Sequence, residues 1–151
     1  MQKVANTGMA VTMDIGDCFV IHPPDKQQVG ERLTYWALAK NYNMDGISYS
    51  GLLYKKMTKA KHGKAKLHFD QIDYGLSNFG NPLTGFEVAG MDRVFHPAIA
   101  EINDDGTVTV FSNQVKQPEA VRYGFKNCPI GTLFNTQGLP ASSFRTDNWE
   151  R

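Results

Sequence analysis

His22 stands where an imidazole could do chemistry: it follows the apolar run Phe19-Val20-Ile21 and precedes Pro23-Pro24 and a predicted helix. In open α/β sheets ligands gather at the carboxyl ends of strands. A histidine there can act as a general base when a carboxylate accepts its Nδ1–H and leaves Nε2 free. Asp14 and Asp17 lie on the same predicted loop. A base of this kind needs a nucleophile, and the serines are Ser48, Ser50, Ser77, Ser112, Ser142 and Ser143. None lies in a Gly-x-Ser-x-Gly elbow or a Gly-Asp-Ser turn after a strand, and most read as turn residues or solvent-facing hydroxyls. Cys18 is close to His22 in sequence, but a thiolate nucleophile sits at a helix N-terminus or beside a fixed cation. A packed or disulfide cysteine is the expectation, and a Cys18–His22 hydrolase the remote alternative. The scattered carboxylates show no pairing of the kind that cleaves glycosidic bonds. On spacing alone, a histidine that merely hydrogen-bonds at the start of a helix is the favoured reading.

The elements that must position His22 read as strand, loop and helix. "MAVTMDI" (residues 9–15) predicts a buried strand, and "DKQQVGERLTYWALAKNY" predicts an amphipathic helix with Val29, Leu33, Trp36, Ala37 and Lys40 near one face. Pro23 and Pro24 suit a helix N-terminus, and Asp25 favours its first turn by charge. Beyond Asn43 the helical period vanishes. "KAKLHFD" places Ala65, Leu67 and Phe69 on one side of a strand and Lys64, Lys66 and His68 on the other. "TGFEVAG", "TVTVFS" and "AVRYGF" follow as further strands, the second of them after an "NDDG" turn. This part predicts antiparallel β structure of sandwich type.

The whole chain has 151 residues, 41% hydrophobic and 21% charged, the composition of one compact domain or two small ones. Lysine and arginine (16) nearly balance aspartate and glutamate (15). The basic run "KKMTKAKHGKAK" (residues 55–66) therefore reads as a solvated edge strand and turn, and nucleic acid is not expected as a partner. No apolar run approaches the ~18 residues of a membrane span, and the N-terminus has no signal-type apolar region. Cys18 and Cys128 fit no zinc pattern, so no metal site is expected; one disulfide and two free thiols both remain open.

"NTGMAVTMDIGD", "IHPPDKQQVGERLTYWALAKNY", "SGLLYKKM", "AVRYGF" and "GTLFNTQGLPASSFRTDNW", in this order from Asn6 to Trp149, resemble the C-terminal half of the sialate O-acetylesterase family, carbohydrate acetylesterases of the SGNH hydrolase superfamily. The resemblance implies that residues 1–44 are the last strand and helix of an SGNH (flavodoxin-like) α/β domain and that residues 45–151 are a β-rich domain. It implies His22, in Ile-His-Pro, as the general acid/base of acetyl-ester hydrolysis on sugars, without metal or organic cofactor. Val20 stands where many members carry an aspartate. Asp17, in "DIGD", matches another position usually filled by aspartate and is thereby the candidate orienting carboxylate. The family's nucleophilic serine and oxyanion-hole residues belong to the N-terminal half, so the resemblance implies no nucleophile in this chain and, as partners, that missing half or another chain, with acetylated carbohydrate of sialic acid or xylan type as substrate. A periplasmic or extracellular location is implied in the same way.

The β-rich part offers other candidates. Tyr49, Tyr54, Phe79, Phe95, Tyr123 and Phe134 are of the type that stacks on sugar rings, although aromatics at strand spacing are more often core. A non-catalytic carbohydrate-binding or docking module is the alternative function they support. His62, His68 and His96 show no ligand spacing. Arg145 and Asp147 in "FRTDNW" predict a salt bridge pinning the C-terminal tail, with Trp149 as packing anchor; Arg145 reading a sugar carboxylate is the sharper alternative.

Overall fold

The computed structural model describes residues 4–149. Its strands are β1 (Leu53–Ala60), β2 (Lys64–Asp70), β3 (Leu76–Ser77), β4 (Phe86–Ala89), β5 (Phe95–Pro97), β6 (Ile99–Ile102), β7 (Val108–Phe111), β8 (Ala120–Tyr123), β9 (Phe134–Asn135) and β10 (Phe144–Arg145), all preceded by one helix, α1 (Lys26–Lys40). The period-two alternation of β2 sets the first sheet. Ala65, Leu67 and Phe69 are buried there, and β2 pairs antiparallel with β1 on one side and β7 on the other, Ala65 facing Val110 and Leu67 facing Val108. The order is β1-β2-β7-β6. The basic run thus forms the edge strand β1 and a turn at Lys61–Gly63, as its charge predicts. His62 and Gly63 both have positive φ, 58° and 67°, which gives the backbone the twist of a tight hairpin. "NDDG" turns β6 into β7 through hydrogen bonds between Asn103 and Thr107 and from Gly106 to Asn103.

The second sheet, order β10-β8-β4-β5, is also antiparallel. Its inner side chains Phe86, Val88, Val121, Tyr123 and Phe144 meet Leu67, Val108 and Val110 of the first sheet in one core. This is the sandwich predicted from the alternating segments. Burial of this kind contributes about 25 cal/mol per Å² of apolar surface, and the centre is reinforced by rings: Tyr54 stacks on Phe144 at 4.7 Å and Phe86 tilts on Tyr123 at 4.6 Å. The one polar atom Tyr123 brings inside is satisfied, since its hydroxyl accepts a hydrogen bond from the Leu133 N–H at 3.1 Å. Burial pushes its pKa up to about 12. A two-stranded ribbon, β3 with β9, completes the set.

The N-terminal part differs from expectation. Residues 9–15 form no strand; they run as irregular chain with a turn closed by Ile15 N–H to the Thr12 carbonyl, 3.2 Å. A parallel strand owes its existence to neighbours that take its backbone groups, and among the described residues no strand of the sandwich pairs with this segment. It rests instead on the β-rich part through Met13, which packs on the core and lies against Gly124 and Gly131, where a Cβ would collide with its side chain. The helix does form. Asp25 is its N-cap, accepting from the Gln28 N–H at 3.0 Å. The predicted apolar face is buried only in part: Val29, Trp36 and Ala37 are half-buried, Leu33 is 53% exposed, and the fully buried residue of the helix is Arg32, at 6%. Arg32 meets the Val11 carbonyl and the Asp14 carboxylate, which call for a hydrogen-bond donor, while Trp36 lies edge-on against Tyr49 and donates to the Met9 carbonyl.

Candidate functional site

His22 lies on the stretch between residue 16 and the cap of α1, which contains neither helix nor strand. Its ring is exposed and, among the described residues, makes no hydrogen bond. Asp17 does not touch it. One oxygen, Oδ1, accepts from the backbone N–H groups of Phe19 at 2.7 Å and Val20 at 3.2 Å, so this carboxylate caps the turn that leads into the histidine. Asp14 is engaged elsewhere: both oxygens accept from Arg32, Oδ1 at 2.7 Å and Oδ2 at 2.6 Å, in a bidentate pair. Arg32 also donates to the Val11 carbonyl at 2.6 Å and the Gln28 side-chain oxygen at 2.9 Å. The result ties helix, loop base and N-terminal segment together. The structure thus brings Asp17 and His22 onto one loop without an imidazole–carboxylate contact.

Cys18 is bonded to Cys128, with Cα atoms 5.1 Å apart, which closes the alternatives left by spacing in favour of one disulfide. The Cys18 hydrolase alternative falls with it, because a bonded sulfur is no nucleophile and neither cysteine is free. Beside the disulfide lies a cavity of about 550 Å3 with Asp14, Asp17, Asn81, Thr132 and Phe134 in its wall. That volume suits a small ligand. Four serines act in turns or in the core. Ser77 and Ser112 accept from the backbone N–H groups of Phe79 and Gln114, Ser48 accepts from Asn135, and Ser50 donates to the Gly51 carbonyl. The remaining two, Ser142 and Ser143, border a second hollow with Met9 and Thr12. Among the described residues, no serine shares a hydrogen bond with His22.

The other candidates resolve mostly into structure. Tyr54 and Tyr123 belong to the core, Tyr49 meets Trp36 edge-on at 4.7 Å, and Phe95 packs on Trp149 at 5.9 Å. Phe79, 55% exposed, is the one exposed ring of the six aromatics and lies 5.7 Å from the half-buried Phe134. The predicted Arg145–Asp147 salt bridge is not formed. Asp147 instead takes a bidentate pair from Arg122 on β8, both bonds 2.9 Å, and Arg145 donates to the Trp149 carbonyl at 3.5 Å. Strand β10 ends at Arg145, and beyond it the chain brings the Asp147 carboxylate to Arg122 of the neighbouring strand β8. The hydrogen bonds from Arg122 hold the Asp147 carboxyl below the usual carboxylate range. Arg122 and Arg32 are the polar anchors that sequence reasoning missed; each pairs across 25 or 18 residues, where no periodic signal exists. His68 Nε2 lies 3.0 Å from the Thr58 hydroxyl. Among the described residues no group of His, Cys, Asp and Glu is arranged to hold a metal ion, and no helix is long and apolar enough to cross a membrane.

The chain is similar to a carbohydrate acetylesterase. The crystal structure of that protein, from Xanthomonas citri, matches with a TM-score of 0.85 and 41% sequence identity over 93% of this chain. This chain spans about a third of its length, 32%. No protein-family model matches the chain, and no curated protein does.

Proposed function

We propose that this chain is the histidine-bearing portion of a carbohydrate O-acetylesterase of the SGNH type, with residues 1–44 belonging to its hydrolase domain and residues 45–151 forming the β-rich domain. The observation that carries this reading is the match to the Xanthomonas citri acetylesterase at 41% identity over nearly the whole chain. The exposed, unpaired His22 at the head of a capped helix supplies the chemistry.

In this reading a serine outside the chain attacks the acetyl carbonyl, and His22 takes its hydroxyl proton. The same imidazole gives that proton to the sugar oxygen as its bond to the acetyl carbon breaks and the acetyl group stays on the serine; a water, deprotonated by His22, then attacks the acetyl-serine and releases acetate and the serine hydroxyl. Asp17 serves the imidazole through the turn it caps rather than by direct contact. The substrate is an acetylated glycan, 9-O-acetyl sialic acid first and acetylated xylan second. No metal or organic cofactor enters. The exposed disulfide fits an oxidising compartment, periplasmic or extracellular.

The test is acetate release from both substrates by this chain alone and by a polypeptide that also carries the serine-bearing portion. Release by the longer polypeptide only is the expected result. Sugar binding with no release from either would favour the carbohydrate-binding module, to which the exposed Phe79 beside Phe134 lends support.

A further inference from the structure

The stretch that presents His22 is held unequally at its two ends. At the far end Asp25 and the first turn of α1 fix the chain. At the near end the side chains are turned to solvent: Phe19 is 96% exposed and Ile21 is 91% exposed, and Val20 and His22 are also exposed. Among the described residues, the hydrogen bonds of Phe19 and Val20 go to Asp17, within the stretch itself. Such contacts shape a turn; they do not fasten it to the rest of the molecule. Upstream, Met13 packs on the core and Asp14 pairs with Arg32; past them, this end is tied to the β-rich part by the bond from Cys18, four residues before His22, to Cys128.

Cys128 is anchored where Cys18 is not. It sits in the connection between β8 and β9, and that connection is pinned on both sides. Before it, Lys126 pairs with Glu87 of β4 at 2.7 Å. After it, the Ile130 carbonyl accepts from the Thr84 hydroxyl at 3.0 Å, and Gly131 fits so closely under the Tyr123 ring that a Cβ would collide with it. Cys128 itself holds a left-handed backbone, φ 54°, a conformation that persists in a non-glycine residue only where its surroundings dictate it.

We propose that the Cys18–Cys128 disulfide is the positioning element of His22: it ties a weakly fastened loop to the β8–β9 connection, and without it the imidazole is not held in reacting geometry. The consequence for catalysis rests on His22 being the base; the mechanical part does not. A reacting group displaced by about 1 Å can cost on the order of 100-fold in rate.

Backbone 15N relaxation of the 151-residue chain tests the mechanical part without activity. With the bond intact, the amides of Phe19, Ile21 and His22 are expected near the order parameter of about 0.85 that marks rigid backbone; values below about 0.6 would overturn the proposal with no variant needed. In Cys18→Ser/Cys128→Ser the same amides should fall below about 0.6 while those of β7 and β8 keep their values. No change, or an equal fall in β7 and β8, would refute local positioning. In the serine-bearing polypeptide the double variant should lose 10- to 100-fold in kcat with KM within about twofold. A loosened loop with kcat intact would refute the positioning role. If His22→Ala also keeps kcat, it is the base assignment that has failed, and the relaxation result stands by itself.

Discussion

Removing the Arg32 guanidinium should cost the α1 region more than the loss of any single core methyl group. Its side chain is 7% exposed and that of Asp14 16%, so the ion pair sits largely out of water. Four hydrogen bonds leave the guanidinium, two to Asp14 and one each to Val11 and Gln28. Truncation leaves a half-buried carboxylate and a carbonyl without partners, and breaking a buried pair from one side costs about 3–5 kcal/mol. Since Asp14 retains some contact with water, we expect the lower end, about 3 kcal/mol for Arg32→Ala and about the same for Asp14→Ala. In a chain of this size each kcal/mol moves Tm by about 2–4 °C, so each single variant should melt ~6–12 °C lower. The double variant leaves no orphaned charge and should cost little more than either single one, a coupling of about 2–3 kcal/mol. Urea unfolding followed at 222 nm, where α1 dominates the helical signal among the described residues, measures all three. Additivity of the two singles within about 0.5 kcal/mol would refute the claim that this pair fastens helix to loop.

Three further outcomes follow from the same contacts. Hydrogen bonds from Arg122 depress the Asp147 pKa, so the folded chain binds fewer protons there than the unfolded one below pH ~4; the stabilisation is present above that pH and is lost as pH falls through the depressed value, and Asp147→Asn should flatten this acid limb in melts from pH 5 to 2. Asp105, held at about 2 chiefly by the hydrogen bond from Lys66, should behave in the same direction between pH ~4 and 2, with Asp105→Asn abolishing its share. Leu67→Ala opens a cavity at a site with 0% exposure and should cost about 2–5 kcal/mol by urea titration, whereas the exposed Leu33→Ala should cost under about 1 kcal/mol.

The β-rich part was legible because a sheet with one buried face writes itself into alternate residues: Ala65, Leu67 and Phe69 point inward and their neighbours outward. Asp25 and the prolines before it announced the helix start for an equally local reason, since capping involves residues three apart. The short strands β3, β5, β6, β9 and β10, of two to four residues, escaped notice because so few residues carry little or no period. Residues 9–15 failed for a different reason. An apolar run is compatible with a strand, but a strand also needs neighbours, and those are not encoded in the run. The helix face was legible in part: Val29, Trp36 and Ala37 are half-buried as periodicity marks them, but Leu33 is exposed and the partner surface called for Arg32. At the site, the position of His22 on a loop before a helix was readable, and the links Cys18–Cys128, Asp14–Arg32 and Arg122–Asp147 were not, each joining residues at least 18 apart.

The central claim is that His22 is the general base of acetyl-ester hydrolysis. Its most direct measurement is the rate of acetate release from 9-O-acetyl sialic acid by the serine-bearing polypeptide with His22 and with His22→Ala, at saturating substrate. Loss of one member of a Ser–His machinery removes several powers of ten in kcat. A fall of at least about 1,000-fold with the fold intact is the predicted result. An unchanged kcat would contradict the account and remove His22 from the chemistry.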